Sequence, residues 1–341
     1  MDSPVQISYS RLGHMPPPLK PLALRPGDQI RVLSVASPVQ EDRLLQGCKE
    51  LEGLGYRPQV DRKTALASES FFAGSKGDRA AALRGALSDP AARAIFCSRG
   101  GYGTNYLLDC FQEGLPGRRR GEPGRSDVPP APKIVLGASD ITSLQIFLWR
   151  KFGWVTFYGP MVATNFDRGA GASHGYDRAS LLSALTETNR GWTLNLQGEA
   201  LVPGAAEGVL LGGCLTLVEA TLGTPWELDT AGAILALEDR AMKPYQVDRA
   251  LMHLKQAGKL RSVAGIILGD FPECEAPPGG ETARDVAHRI LAPLGVPVVW
   301  GAPIGHTSRA MLTLPLGVKA ALSSSGQGAL KILEPACVAR A

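Results

Sequence analysis

The chain has 341 residues, of which 44% are hydrophobic and 20% are charged, so it can bury the cores of two globular domains. Its formal net charge of +4 is small for this length and gives no electrostatic footprint for nucleic acid. The six cysteines include no C-x-x-C pair, which favours buried thiols in a reducing compartment.

The chain starts with a polar, proline-rich segment over residues 1–24. This segment has no apolar core of the signal-peptide type, and no later apolar run approaches the length of a membrane span. We therefore predict a cytoplasmic protein with a flexible N-terminal tail over residues 1–24 and no membrane partner.

Short apolar strands alternate with amphipathic helices in the next part of the chain. The pattern predicts strands at 29–34, 94–97 and 133–136, and helices at 41–54, 78–87, 104–111 and 141–152. Such alternation is typical of a parallel sheet covered on both faces, with ligands at the carboxyl ends of the strands. We therefore predict an N-terminal α/β domain over residues 25–166.

Two segments interrupt or follow this pattern. Residues 114–132 are rich in Pro, Gly and Arg and contain no aromatic residue to stack on a base, so a solvated surface insertion is favoured over an anion or nucleic-acid site. Residues 167–200 have few apolar periodicities and are predicted to be a linker.

A second pattern of mixed helices and strands follows the linker. It predicts helices at 214–222, 245–258 and 282–291, and strands at 233–237, 263–268 and 296–300. Short strands with turns at 317 and 323–328 are expected in the tail. Residues 201–341 are therefore predicted to form a C-terminal α/β domain that ends in β-structure.

Ser139 lies between a predicted strand and a predicted helix, in the run K-I-V-L-G-A-S-D-I-T over 133–142. A serine at such a turn is a candidate nucleophile, because the backbone N–H groups of the helix start favour developing negative charge. The G-x-S-x-G signature of a nucleophile elbow is incomplete, since Ile141 stands in the place of the second glycine. The alternative is a plain helix N-cap.

A serine nucleophile needs a base and an acid that orients the base. Of the five histidines, His306 alone follows a predicted strand, in the loop P-I-G-H-T-S-R. Glu238 ends an otherwise apolar strand, which makes it the candidate acid. The alternatives are an incidental loop histidine, and a carboxylate that only starts a solvated turn or pairs with Arg240.

The glycines of S-R-G-G-Y-G over 98–103 could supply backbone N–H donors. With Ser139 on the neighbouring strand loop, the amide of Gly100 or Gly101 and that of Asp140 would form an oxyanion hole, although a tight turn that needs positive φ would also explain the glycines. The run is not G-x-G-x-x-G, and no H-E-x-x-H or Cys/His cluster is present. No cofactor and no metal are predicted.

These residues carry a family resemblance. The chain resembles the LD-carboxypeptidases (muramoyltetrapeptide carboxypeptidases), a serine peptidase family that also includes the microcin C self-immunity protein. The resemblance begins near Leu24 and rests on an ordered series of motifs: R-P-G-D-Q-I-R-V (25–32), S-R-G-G-Y-G (98–103), G-A-S-D-I-T (137–142), Y-G-P-M (158–161), G-G (212–213), G-T-P (223–225), L-E-D (237–239), D-R (248–249) and G-H-T (305–307).

The resemblance implies a catalytic triad of Ser139, His306 and Glu238, with Gly101 and Asp140 as oxyanion donors. It implies a flavodoxin-like or glutamine-amidotransferase-like N-terminal domain, a swivelling β/β/α C-terminal domain, and a homodimer. The implied reaction is hydrolysis of the L,D peptide bond of murein tetrapeptides, which releases D-alanine.

Several alternatives stay open at this point. The same triad could act on a peptidyl-nucleotide or another amide, and a non-catalytic binding protein could use the same scaffold. A carboxypeptidase must also bind a free carboxylate, for which an arginine is suited. Arg99, with Gly100 and Tyr102, is the candidate for substrate contact; Arg240 and Arg309 also neighbour the site loops. The chain departs from the family pattern at Ala138, at Cys214 and in the insertion.

Overall fold

A computed structural model of the protein describes residues 18–112 and 131–340, which form two β-sheets covered by helices. The strands are β1 (Gln29–Leu33), β2 (Arg57–Val60), β3 (Ala92–Cys97), β4 (Ile134–Gly137), β5 (Thr156–Tyr158), β6 (Trp192–Asn195), β7 (Glu199–Val202), β8 (Ala205–Cys214), β9 (Ala233–Glu238), β10 (Gly265–Gly269), β11 (Val298–Ala302), β12 (Leu314–Leu316), β13 (Lys319–Ser323) and β14 (Ala329–Ile332). The helices are α1 (Glu41–Gly53), α2 (Arg62–Ala65), α3 (Lys76–Ser88), α4 (Asn105–Gln112), α5 (Thr142–Phe152), α6 (Arg178–Thr186), α7 (Leu215–Glu219), α8 (Pro244–Gln256) and α9 (Ala283–Leu291).

The first sheet has the strand order β12-β5-β4-β3-β1-β2. Its strands β1 to β5 run parallel, whereas β12 is antiparallel to β5. All four residues of β4 are buried, as are five of the six residues of β3. Such continuous apolar runs are expected where helices cover both faces of a parallel sheet.

The second sheet has the strand order β6-β14-β13-β8-β9-β10-β11-β7. Its central strands β8 to β11 are parallel, and antiparallel strands flank them on both sides. The predicted α/β class is therefore confirmed in both halves of the chain. Because the parallel strands of each sheet end at one edge, the loops after them can converge on a common site.

Part of the predicted flexible tail is ordered. Leu24 and Ala23 are buried, Leu24 N–H donates to Leu185 O (2.9 Å), and Ala23 N–H donates to Val338 O (3.0 Å). The prediction of a tail up to residue 24 was wrong for residues 18–24, because these backbone groups pair with segments that are distant in sequence. Residues 1–17 and the predicted insertion, apart from residues 131 and 132, lie outside the described residues.

The segment predicted as a linker over 167–200 holds regular structure. It contains α6 and β6, and β6 pairs with β14 in the second sheet. The later strand β12 belongs to the first sheet, where it pairs with β5 and places Leu314 opposite Tyr158. The chain therefore changes sheet three times, after β5, after β11 and after β12, which a pattern of local periodicities does not reveal.

Strand β8 was missed because it is rich in glycine, which lowers β-propensity. A side chain at Gly208 or Gly212 would collide with the backbone of the neighbouring strand β9. The helix predicted from 214 to 222 is correspondingly shorter and spans only Leu215–Glu219. In the described ranges, no helix is long and apolar enough to cross a membrane.

Candidate active site

Ser139 stands at the turn between β4 and α5, as its sequence pattern predicts. Its φ is +59°, in the left-handed region that non-glycine residues rarely adopt. Its backbone N–H donates to the Tyr158 hydroxyl (3.1 Å). A strained serine held at a strand-to-helix turn is typical of a nucleophile position, because strain of this kind persists where the surroundings enforce it.

Glu238 and His306 form a hydrogen-bonded pair at the carboxyl ends of β9 and β11. The Glu238 Oε2 atom accepts both the His306 Nδ1–H (2.8 Å) and the His306 backbone N–H (2.8 Å). The Glu238 side chain is fully buried. Because Nδ1 carries the proton in this bond, the neutral imidazole presents an unprotonated Nε2, which is the form that a general base needs.

Burial and charge act in opposite directions on this pair. Burial disfavours the charged imidazolium, but the Glu238 carboxylate outweighs it, and the pKa of His306 is raised above its ordinary value. Burial alone would raise the pKa of Glu238, but the charge of His306 and the hydrogen bonds from His306 and Tyr158 lower it. The pair therefore consists of a carboxylate whose pKa is lowered and an imidazole whose pKa is raised.

Gly305 makes room for this pair. It has φ of +60°, and a Cβ there would overlap the carboxyl group of Glu238. The glycine before His306 is thus required both by the backbone conformation and by the close approach of the acid.

Ser139 and His306 line the same cleft, which has a volume of about 360 Å³. In residues 18–112 and 131–340, no hydrogen bond joins Ser139 Oγ to the His306 ring. Catalytic hydrogen bonds are often long without substrate and shorten when it binds. The structure thus brings the three predicted residues to one site, and one of the two hydrogen bonds that a Ser-His-Glu triad would contain is formed.

The Gly100–Gly101 turn lies directly against the serine. A Cβ on Gly100 would be 2.7 Å from Ser139 Cβ and 3.0 Å from Ser139 Oγ. Gly101 has φ of +107°, and a Cβ on it would overlap Ser37. Both glycines are needed for close approach, as expected of a loop that offers backbone N–H groups to a substrate.

The side chain of Asp140 fastens this turn to the nucleophile loop. It is buried, and its Oδ2 accepts the Thr104 N–H (2.8 Å). Burial raises the pKa of Asp140, against the hydrogen bond from Thr104. The sequence interpretation gave Asp140 only a backbone role; its carboxylate in addition fixes the end of the glycine loop relative to Ser139.

Four arginines line the cleft and differ in their partners. Arg43 pairs with Asp167 (2.6 Å), Arg168 lies 3.6 Å from the same carboxylate, and Arg240 pairs with Glu273. Arg99 donates to Pro38 O (3.1 Å) and has no carboxylate partner within the part of the chain that the structure describes. It is therefore the arginine with its charge free for a ligand.

Two of the other predicted contact residues lie away from a substrate position. The Tyr102 ring is 43% exposed and stacks on Phe72 at 5.8 Å, outside the cleft lining. Arg309 is bound to Asp270 and to the Gly301 carbonyl, so it braces the loop that carries His306. The Asp270 carboxylate also accepts the Thr307 hydroxyl.

Two site residues were not assigned a role from the sequence. Tyr158 was noted only as part of Y-G-P-M, yet its hydroxyl also donates to Glu238 Oε1. His174 lies in the predicted linker, yet it lines the cleft. Its ring Nδ1 is 3.1 Å from Thr307 O, and its backbone N–H donates to Ser308 O (3.0 Å). A signal for Tyr158 was available, because it ends a strand of the first sheet, beside the serine strand.

Among the described residues, no group of three or more His, Cys, Asp or Glu side chains is placed to hold a metal ion. The site consists instead of a serine, an acid–base pair and backbone N–H groups. Those are the components of acyl transfer through a serine nucleophile.

Comparison with known proteins agrees with this chemistry. Residues 30–159 match the family described as LD-carboxypeptidase N-terminal domain, and residues 207–322 match the LD-carboxypeptidase C-terminal domain. A Bacillus subtilis (strain 168) protein named probable murein peptide carboxypeptidase is 37% identical over 316 residues, covering 91% of this chain and 93% of that protein.

Solved structures share the whole fold. The muramoyltetrapeptide carboxypeptidase from Oxalobacter formigenes has a TM-score of 0.75 at 26% identity, covering 90% of this chain and 99% of that chain. The microcin C7 self-immunity protein MccF, in complex with aspartyl sulfamoyl adenosine, has a TM-score of 0.79 at 25% identity, covering 94% of this chain and 100% of that chain.

Proposed function

This chain belongs to the LD-carboxypeptidase family, and from that premise we propose that it hydrolyses the L,D peptide bond of murein tetrapeptides through Ser139, His306 and Glu238. It is an enzyme of the carboxypeptidase class, as the resemblance in its motifs implied. The observation that carries the proposed mechanism is the Glu238–His306 pair, whose imidazole shares a cleft with Ser139.

The reaction begins with neutral His306. Its Nε2 takes the proton from Ser139 Oγ as the oxygen attacks the carbonyl carbon of the scissile peptide bond. Glu238 holds the Nδ1 proton, fixes the tautomer, and stabilises the imidazolium that forms. The backbone N–H groups of Gly101 and Asp140 bind the oxyanion, and no acceptor within the described residues occupies either group.

The intermediate then collapses. The carbon–nitrogen bond breaks, His306 gives its proton to the leaving amine of D-alanine, and an acyl-enzyme remains on Ser139. Water repeats the cycle, with His306 as base, and releases the tripeptide and the free serine. Arg99 supports the exopeptidase specificity, because its guanidinium beside the Gly100 turn has no carboxylate partner among the described residues and is suited to the terminal carboxylate of the substrate.

The decisive experiment is mass spectrometry of a murein tetrapeptide incubated with wild type and with Ser139→Ala. We expect wild type to release D-alanine and the variant to bind the peptide without cleaving it, because loss of one triad member usually lowers turnover by several orders of magnitude. Release of D-alanine at the wild-type rate by purified Ser139→Ala would overturn the proposal.

We retain a second candidate substrate class because the chain also shares its fold with MccF. In this alternative the same triad cleaves a peptidyl-nucleotide amide. Parallel assays with the tetrapeptide, a pentapeptide and a peptidyl-adenylate discriminate between the two: activity confined to the peptidyl-adenylate would replace the murein substrate. The expected homodimer and cytoplasmic location remain predictions; light scattering on the purified protein tests the first.

A further inference from the structure

We propose that Tyr158 is a positioning residue that joins the nucleophile turn of the first sheet to the Glu238–His306 pair of the second. The inference rests on the proposed function, because it assigns a role beside that triad. Tyr158 ends β5, where its register partner on the serine strand β4 is Gly137. Its side chain is 1% exposed, so its hydroxyl can find partners only within the protein.

The direction of both hydrogen bonds is fixed by the partners. Ser139 offers a backbone N–H and can only donate, at 3.1 Å from the Tyr158 oxygen. The ionised carboxylate of Glu238 can only accept, so the phenol proton points to Glu238 Oε1. One hydroxyl therefore bonds the nucleophile residue on one side and the orienting acid on the other.

Tyr158 completes the coordination of the buried acid. Glu238 Oε2 is taken by two N–H groups of His306, and Oε1 is taken by Tyr158. Burial and the adjacent carboxylate raise the pKa of Tyr158 well above its ordinary range, so the phenol keeps its proton at every pH where the enzyme would work. The carboxylate is thereby locked with one oxygen toward the imidazole.

Tyr158 also restricts the chemistry of Ser139. Because the Ser139 N–H is engaged by the phenol oxygen, it is not free to bind an oxyanion, and that task falls to other amides. The same bond helps to hold the serine at positive φ. A second contact fastens the two sheets nearby, where Cys214 N–H donates to Thr142 Oγ1 (3.0 Å), but that contact touches neither the acid nor the serine.

Tyr158→Phe tests the proposal, since it keeps the ring and removes the hydroxyl. Without the hydroxyl, the Glu238 carboxylate loses a hydrogen-bond donor that stabilises its charge. The Glu238–His306 pair therefore binds its proton more tightly. We expect kcat to fall roughly 10- to 100-fold, KM to stay within about twofold, and the acid limb of kcat/KM against pH to move up by about one pH unit.

Tyr176→Phe is the matched control. Tyr176 is also fully buried, and its hydroxyl donates to a glutamate, Glu50 Oε1, at 2.7 Å, away from the triad. Both variants should lower the unfolding midpoint by similar amounts, but only Tyr158→Phe should move the pH profile. Kinetics and a pH profile for Tyr158→Phe that match those of the control would overturn the proposal.

A second variant covers the case in which Tyr158→Phe does not fold. Site-specific 3-fluorotyrosine at position 158 keeps both hydrogen bonds, and its more acidic phenol donates more strongly to Glu238. The acid limb should then move to lower pH, and an unmoved limb would overturn the positioning role. Ser139→Ala run alongside separates the two hypotheses: if it retains activity, the proposed function fails; if it is inactive while Tyr158→Phe matches the control, only the role of Tyr158 fails.

Discussion

Gly305→Ala should lower kcat/KM by about 10²- to 10⁴-fold, although the substitution adds a single methyl group outside the proposed triad. Gly305 has φ of +60°, and its added Cβ would overlap the Cγ, Cδ and Oε1 atoms of Glu238. Neither side can yield easily, because Glu238 is fully buried and is bonded to both His306 and Tyr158. We expect the carboxylate to be displaced and the imidazole to lose its orientation.

The size of the effect has two separable parts. Holding alanine in the left-handed region costs about 1–2 kcal/mol of stability. Displacing a buried, hydrogen-bonded carboxylate costs several kcal/mol more, on the scale of breaking a buried ion pair at about 3–5 kcal/mol. For catalysis, a misplacement of roughly 1 Å can cost about 10²-fold, and full loss of the orienting acid about 10⁴-fold. We therefore expect kcat/KM to fall between these limits.

Gly326→Ala isolates the first part. Gly326 lies in the turn between β13 and β14, has φ of +56°, and has open space where a Cβ would be. Release of D-alanine and thermal unfolding are measured for both variants. Gly326→Ala should lose stability through backbone strain yet keep wild-type kcat. If Gly305→Ala were as active as Gly326→Ala, the close packing of Glu238 against Gly305 would not matter for catalysis, and the reasoning would be refuted.

Three further predictions concern the rest of the site. In wild type the acid limb of kcat/KM against pH should lie above the ordinary histidine range, because His306 acts in its neutral form and its pKa is raised. In Glu238→Gln the main raising charge is lost while burial remains, so the limb should move to lower pH than in wild type and kcat should drop about 10²- to 10⁴-fold; an unmoved limb would contradict the pairing. Gly100→Ala places a methyl 3.0 Å from Ser139 Oγ and should lower kcat by about 10²-fold or more with little change in the unfolding midpoint; wild-type turnover would show that the turn can move aside. Arg99→Ala should raise KM by about 10- to 100-fold for the free-acid tetrapeptide, whereas for the C-terminal amide the variant and wild type should have the same KM; an equal effect on both peptides would argue against carboxylate recognition.

The α/β class and the three residues of the proposed triad were accessible from sequence because their signals are local. The apolar run before Ser139, the helical spacing after it, and the carboxylate that closes the apolar strand at Glu238 are each contained in about ten residues. Ser139 follows a strand of the other sheet, and its approach to the acid and the base was implied only by the family resemblance. Glu238 and His306 follow parallel strands of one sheet, which end at a common edge, so these two residues could be expected to meet. That rule needs no knowledge of which strands are neighbours.

The strand that was missed and the tail boundary that was placed wrongly also have physical causes. Strand β8 has a poor strand signal, since its glycines reduce β-propensity, but the closeness of β9 requires two of them, Gly208 and Gly212. Residues 18–24, P-L-K-P-L-A-L, were grouped with the polar, proline-rich segment before them, yet they are mostly apolar and their backbone groups pair with segments such as Val338. In both cases the decisive partner lies far away along the chain.

The contacts that Tyr158 and His174 make were decided by tertiary structure. The hydroxyl of Tyr158 joins Ser139, 19 residues away, to Glu238, 80 residues away, and the ring of His174 contacts Thr307 across 133 residues. Sequence determined which elements form and which side chains follow the strands, because those depend on local propensity and apolar period. Which buried polar groups satisfy one another depends on how the two sheets pack, and only the folded chain brings those groups within hydrogen-bonding distance.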